Sequence, residues 1–274
     1  MVPRIGLMQG RLSPAVGGRI QAYPSTSWQR EFIDAAVIGF DSIEWIIESP
    51  IEQNAVMNSR GIKCIKKIMA ESKVNIKFLI ADYFMESPLV RMSSITKSKN
   101  QQILNNMLSF ASEIGAKGLE IPFVDNSAIF SLNEEEELAK AIEPALQQAE
   151  LLGLEIGLET SLPPDRFRAL LERIGHPNLR VNYDIGNSAA LGFDPNEEFS
   201  AYAQWINNVH IKDRILGGHS VPLGEGAAKF PQIFHLLSDY KYGGYYVLQA
   251  ARCGDEKKVV KKYLSQVENW MLQR

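Results

Sequence analysis

Leu179-Arg180-Val181-Asn182-Tyr183-Asp184 and Ile206-Asn207-Asn208-Val209-His210 are two short apolar-rich runs, each ending on a chemically active side chain. The first breaks into Ile185-Gly186-Asn187, the second into Ile211-Lys212-Asp213. A β-branched run that stops at an Asp or a His reads as a buried strand presenting one side chain at its carboxyl end. A glycine-containing loop is expected to follow Asp184. His210 is expected at a strand end outside the packed core, so that His210→Ala would leave the fold intact. An α/β barrel builds its site from successive strand ends of this kind.

Working outward, the same unit recurs. Strands are expected at Ile5–Gln9, Ser42–Ile46, Val74–Ile80, Leu119–Ile121 (ended by Pro122), Glu155–Glu159 and Tyr245–Gln249. Helical spacing of apolar residues separates them, as in Phe32, Ala35, Ala36 and Ile38, where Ser27 is the expected cap and Gly39 the stop. Glu134-Glu135-Glu136-Glu137 reads as a helix first turn, where carboxylates complement the dipole. Eight strand–helix units with no break in composition predict one α/β domain over residues 1–274, a (β/α)8 TIM barrel. A doubly wound sheet would show a glycine-rich phosphate loop after its first strand, and Gly10-Arg11-Leu12-Ser13-Pro14 is not that pattern.

The bulk numbers exclude several functions. The chain has 274 residues, 45% hydrophobic and 22% charged, which suits a soluble globular protein with a large core. A net charge of −3 gives no electrostatic case for nucleic acid or an acidic membrane. Cys64 and Cys253 have no metal or redox spacing, so a reduced cytoplasmic setting is expected. Met1-Val2-Pro3-Arg4 runs into Ile5 with no apolar stretch of the kind a leader needs. A homo-oligomer is left open.

In a barrel, the polar strand ends Gln9, Glu44, Glu120, Glu159, Asp184, His210 and Gln249 point at one mouth. Glu159, Asp184, His210 and Gln249 come from consecutive strands. Two carboxylates, an imidazole and an amide oxygen suit one divalent ion, Mn²⁺, Mg²⁺ or Zn²⁺. Arg214 and Arg252 follow the last two strands, where barrels often hold phosphate.

Ile156-Gly157-Leu158-Glu159, Tyr183-Asp184-Ile185-Gly186-Asn187, Val209-His210-Ile211-Lys212-Asp213 and Pro222-Leu223-Gly224-Glu225-Gly226 resemble the xylose isomerase-like barrel superfamily. Gly10-Arg11-Leu12 and Gly39-Phe40-Asp41-Ser42-Ile43-Glu44 resemble its sugar-phosphate isomerase branch. The resemblance implies a sugar or sugar-phosphate isomerase or epimerase that moves a proton alpha to a carbonyl. An inosose-dehydratase-like lyase and an inactive sugar-binding barrel are the alternatives. It implies Glu159, Asp184 and His210 as metal ligands, with Glu159 also the general base. Glu44, Asn187, Lys212, Asp213, Arg214 and Arg252 are expected to orient substrate, any phosphate lying near the Gly224-Glu225-Gly226 backbone.

Two positions depart from the family pattern. Gln249 stands where the epimerases carry a glutamate ligand that also serves as a second catalytic group. Asn187 stands where many relatives place a histidine. A glutamine amide cannot take up a proton at neutral pH. Unless Lys212, Asp213 or water substitutes, one face of the substrate lacks a base, so one-base isomerisation, or no turnover, is expected ahead of 3-epimerisation. The superfamily's trinuclear nuclease branch uses further histidines that this chain lacks.

Overall fold

Eight short runs rich in Ile, Leu and Val are buried on nearly every residue, the pattern of strands covered on both faces. In the computed structural model, which describes residues 5–272, they form one closed parallel barrel. The strands are β1 (Ile5–Met8), β2 (Ser42–Ile46), β3 (Asn75–Ile80), β4 (Gly118–Phe123), β5 (Glu155–Thr160), β6 (Leu179–Asp184), β7 (Ile206–Ile211) and β8 (Tyr245–Leu248). Closure runs through β1 and β8, with Ile5 opposite Tyr246 and Leu7 opposite Leu248. The expected (β/α)8 TIM barrel is therefore the observed fold. The leader reading rests on Met1–Arg4, which lie outside the described residues. No helix among the described residues is long and apolar enough to cross a membrane.

Helices such as Trp28–Ile38, Ser94–Ile114 and Leu132–Leu152 return the chain between strands. Gly39, at φ 115°, ends the first of them as expected. Ser27 does sit at its N-cap position, but its hydroxyl donates to Ser13 Oγ (2.9 Å) instead of capping a helix N–H. The acidic first turn does more than complement a dipole. Glu135 is buried and ion-paired with Arg166 and Arg173, Glu134 with Arg91, and Glu137 with Lys97, which ties neighbouring segments together.

Three boundaries differ from expectation in ways that matter to the site. Pro122 does not end β4 but lies inside it, opposite Glu159. β7 runs one residue past His210, to Ile211. No loop follows Asp184: Ile185–Leu191 is a helix with Asp184 at its N-cap, Oδ1 accepting from Asn187 N at 2.8 Å. Gly186 lets that helix approach the strand exit, since a Cβ there would lie 2.9 Å from Lys212 Cγ.

Candidate active site

The barrel turns alternate strand residues inward, so chemistry-bearing side chains two apart share its interior. On β6 these are Asn182 and Asp184; on β7, Asn208 and His210. All four are buried. His210 is 0% exposed, not outside the packed core as its place near a strand end suggested.

His210 is gripped from both sides. Its Nε2 lies 2.6 Å from Glu44 Oε2, a contact that crosses the barrel from β7 to β2. Asn208 Nδ2 donates to the other Glu44 oxygen at 2.9 Å. A carboxylate can only accept, so Nε2 carries the hydrogen and Nδ1 is left to face the mouth. Nδ1 lies 3.8 Å from Glu159 Oε2 and 3.9 Å from Asp184 Oδ2. Asn182 Nδ2 donates to Glu159 Oε2 (3.0 Å) and sits 3.1 Å from His210 Nδ1. Burial disfavours the imidazolium, yet Glu44, Glu159 and Asp184 together raise the ring to about 9. Surroundings that favour a proton on Nδ1 also favour a metal cation there.

Glu159 is held at both oxygens, because Asn187 Nδ2 donates to Oε1. Burial, reinforced by the Asp184 charge, pushes its carboxyl up to about 7, against the opposing pull of Lys212, His210 and Asn187. Lys212 Nζ pairs with Asp184 Oδ2 at 2.7 Å. Deeper in the barrel, Glu120 is buried with no hydrogen-bond partner for either oxygen, and burial pushes its carboxyl well above the ordinary range. Gly157 makes room for it: a Cβ there would collide with Glu120 Oε2.

One ligand atom each from Glu159, Asp184 and His210 lies within 4.8 Å of the others. That is close to the span one shared ion needs at roughly 2.0–2.4 Å from each. Gln249 adds an orphaned acceptor. Its Oε1 is buried without a partner, while its Nε2 donates to Gln21 Oε1 at 2.8 Å. This hard, mostly oxygen donor set fits a divalent ion of the Mg²⁺, Mn²⁺ or Zn²⁺ kind.

Above the cluster opens a cavity of about 660 Å³. Glu159, Asn187, Lys212, Arg214 and Gln249 line it, as the sequence reading expected of a mouth. Three other expected substrate contacts are not among its lining residues, and each has a different bonding role. Glu44 is spent on His210 and Asn208. Asp213 accepts from the backbone N–H groups of Arg214, Gly224, Gly226 and Ala228, so the glycine loop's donors are occupied rather than offered to phosphate. The Arg252 guanidinium donates to the carbonyls of Gly10, Ser13 and Ile20 and pairs with Glu256, pinning the loop after β1. Arg11, quoted in the sequence only within the Gly10-Arg11-Leu12 motif, lines the cavity with Gln21 and Asp82, neither of which was singled out. They sit on loops, where no spacing announces them.

A 2-epi-5-epi-valiolone 7-phosphate 2-epimerase from an Actinoplanes species is 26% identical over 214 residues, 78% of this chain and 73% of that one. An L-ribulose-5-phosphate 3-epimerase from Shigella flexneri is 24% identical over 232 residues, 81% of each chain. A xylose isomerase-like TIM barrel protein from Mycobacterium smegmatis, solved in complex with magnesium, superposes with a TM-score of 0.74 at 17% identity, covering 99% of this chain and 97% of that one. The family model for the xylose isomerase-like TIM barrel matches residues 32–267, and the chain belongs to that family.

Proposed function

We propose that the chain is a divalent-metal-dependent sugar-phosphate epimerase or isomerase. The observation that carries this reading is the buried Glu159–Asp184–His210 cluster beneath a cavity that Glu159 itself lines. Those three residues and Gln249 would hold the ion. Once bound, it would polarise a substrate carbonyl and make the neighbouring C–H more acidic. Glu159, which lines the cavity, takes that proton as general base. Asn187 and Asn182 hold the two oxygens of Glu159, so the base is oriented before substrate arrives.

Phosphate recognition is supported by the names of the two relatives and by the cations at the rim. Lys212 and Arg214 both face the cavity. Arg214 is fixed by bonds to Gly218 O and Asn187 Oδ1, and it has N–H groups to spare for an anion. The test is solvent deuterium incorporation into ketose 5-phosphates, L-ribulose 5-phosphate among them, by protein loaded with Mn²⁺, Mg²⁺ or Zn²⁺. Incorporation next to the carbonyl is expected, reduced roughly 100-fold or more in Glu159→Gln for the epimer whose proton faces Glu159. No incorporation with any of the three metals contradicts the reading.

A further inference from the structure

Of the four side chains that would hold the ion, Glu159 is the one assigned as a base, and Gln249 cannot serve as a second. Inverting a carbon needs a proton taken from one face and another delivered to the opposite face. Besides Glu159, four carboxylates line the cavity: Glu48, Asp82, Glu86 and Asp125. Glu48 has both oxygens occupied, by the Arg19 guanidinium and by Tyr23 N. Glu86 and Asp125 are exposed to solvent.

Asp82 differs from all three. It follows β3 and is joined to Gln249 by a two-bond amide relay: Gln249 Nε2 donates to Gln21 Oε1 at 2.8 Å, and Gln21 Nε2 donates to Asp82 Oδ2 at 2.8 Å. The relay ties the Asp82 carboxyl to the Gln249 amide through one intervening side chain, Gln21. Among the described residues its Oδ1 takes no hydrogen bond and is free to meet substrate.

We propose that Asp82 is the second acid–base residue of the site, replacing the group that Gln249 cannot provide. This rests on the function proposed above. Glu159 breaks the C–H bond on one face and gains its proton, leaving the enediolate. The Asp82 carboxylic acid gives its own proton to the same carbon from the other face, forming the inverted C–H bond. The cycle ends with Glu159 protonated and Asp82 ionised; exchange with water resets both, and the reverse reaction exchanges their roles. Burial supports the assignment, since it pushes the Asp82 carboxyl up to about 6, where both forms are accessible near neutrality.

The experiment uses Mn²⁺-loaded protein in D₂O with two C3 epimers, L-ribulose 5-phosphate and L-xylulose 5-phosphate, as separate probes. Wild type is expected to exchange the C3 proton of both and to interconvert them. Asp82→Asn should lower interconversion roughly 100-fold or more. It should still exchange the epimer whose proton faces Glu159, while exchange of the other epimer is lost. Glu159→Gln should show the mirror pattern. A merely structural role would depress both exchanges together, and that result overturns the proposal, as does undiminished interconversion by Asp82→Asn. Absence of exchange by wild type with either probe overturns the functional reading and this inference with it.

Discussion

Replacing Glu44 by glutamine probes how the site is held without touching the cavity. Glu44 is 2% exposed, and its Oε2 lies 2.6 Å from His210 Nε2. The amide oxygen of glutamine can still accept from that ring nitrogen. Its NH₂ group would then face Asn208 Nδ2, now 2.9 Å from Glu44 Oε1. Asn208 Oδ1 is buried without a partner, so a rotation of that amide turns the clash into a hydrogen bond and the variant should fold. What disappears is the negative charge that makes His210 a stronger base. Loss of such a partner typically weakens metal binding about 10–100-fold. That corresponds to about 1.4–2.7 kcal/mol. The assay is calorimetric titration of stripped protein with Mn²⁺, supported by the metal-induced rise in Tm, which should shrink by the same free energy at saturating metal. A dissociation constant within about threefold of wild type would refute the reasoning, because a tenfold effect is the least that such a partner is expected to have.

Three further outcomes are expected. His210→Ala should destabilise the metal-free protein by about 3 kcal/mol, because it strands the Glu44 carboxylate in the barrel; an unchanged Tm would show that Glu44 does not depend on the ring. Gln249→Glu should tighten Mn²⁺ binding, and unchanged affinity would remove Gln249 from the ligand set. Glu31 accepts from Gly10 N and Leu12 N, yet burial pushes its carboxyl from 4.5 up to about 7. A folded-state value above the unfolded one contributes stability that is complete below about 4.5 and lost as pH rises through about 7, a span on the order of 3 kcal/mol. Glu31→Gln should therefore flatten the fall in metal-free Tm between about pH 5 and pH 8, and an unchanged slope would contradict the assignment.

The barrel was legible because strand and helix periods alternate along the whole chain and glycines mark the joints. Glu159, Asp184 and His210 stood out as polar residues ending buried apolar runs. The residues that hold them were harder to see. Asn182 and Asn208 precede Asp184 and His210 by two, on the same inward face, and that period could have found them. Glu44 was visible, but its bond to His210 spans 166 residues and exists only after the barrel closes. Asp213 and Arg252 look like binding groups in sequence because nothing there shows that backbone partners already occupy them. Gln21 and Asp82 lie on loops brought together over 61 residues, a pairing that no local pattern encodes.

The most direct measurement of the central claim is anomalous diffraction from crystals soaked in Mn²⁺, recorded for wild type and Asp184→Asn. The account predicts a single strong peak within about 2.0–2.4 Å of Glu159, Asp184, His210 Nδ1 and Gln249 Oε1 in wild type, and a much weaker one in the variant. A mouth with no peak at saturating Mn²⁺, or a peak away from these side chains, would contradict it.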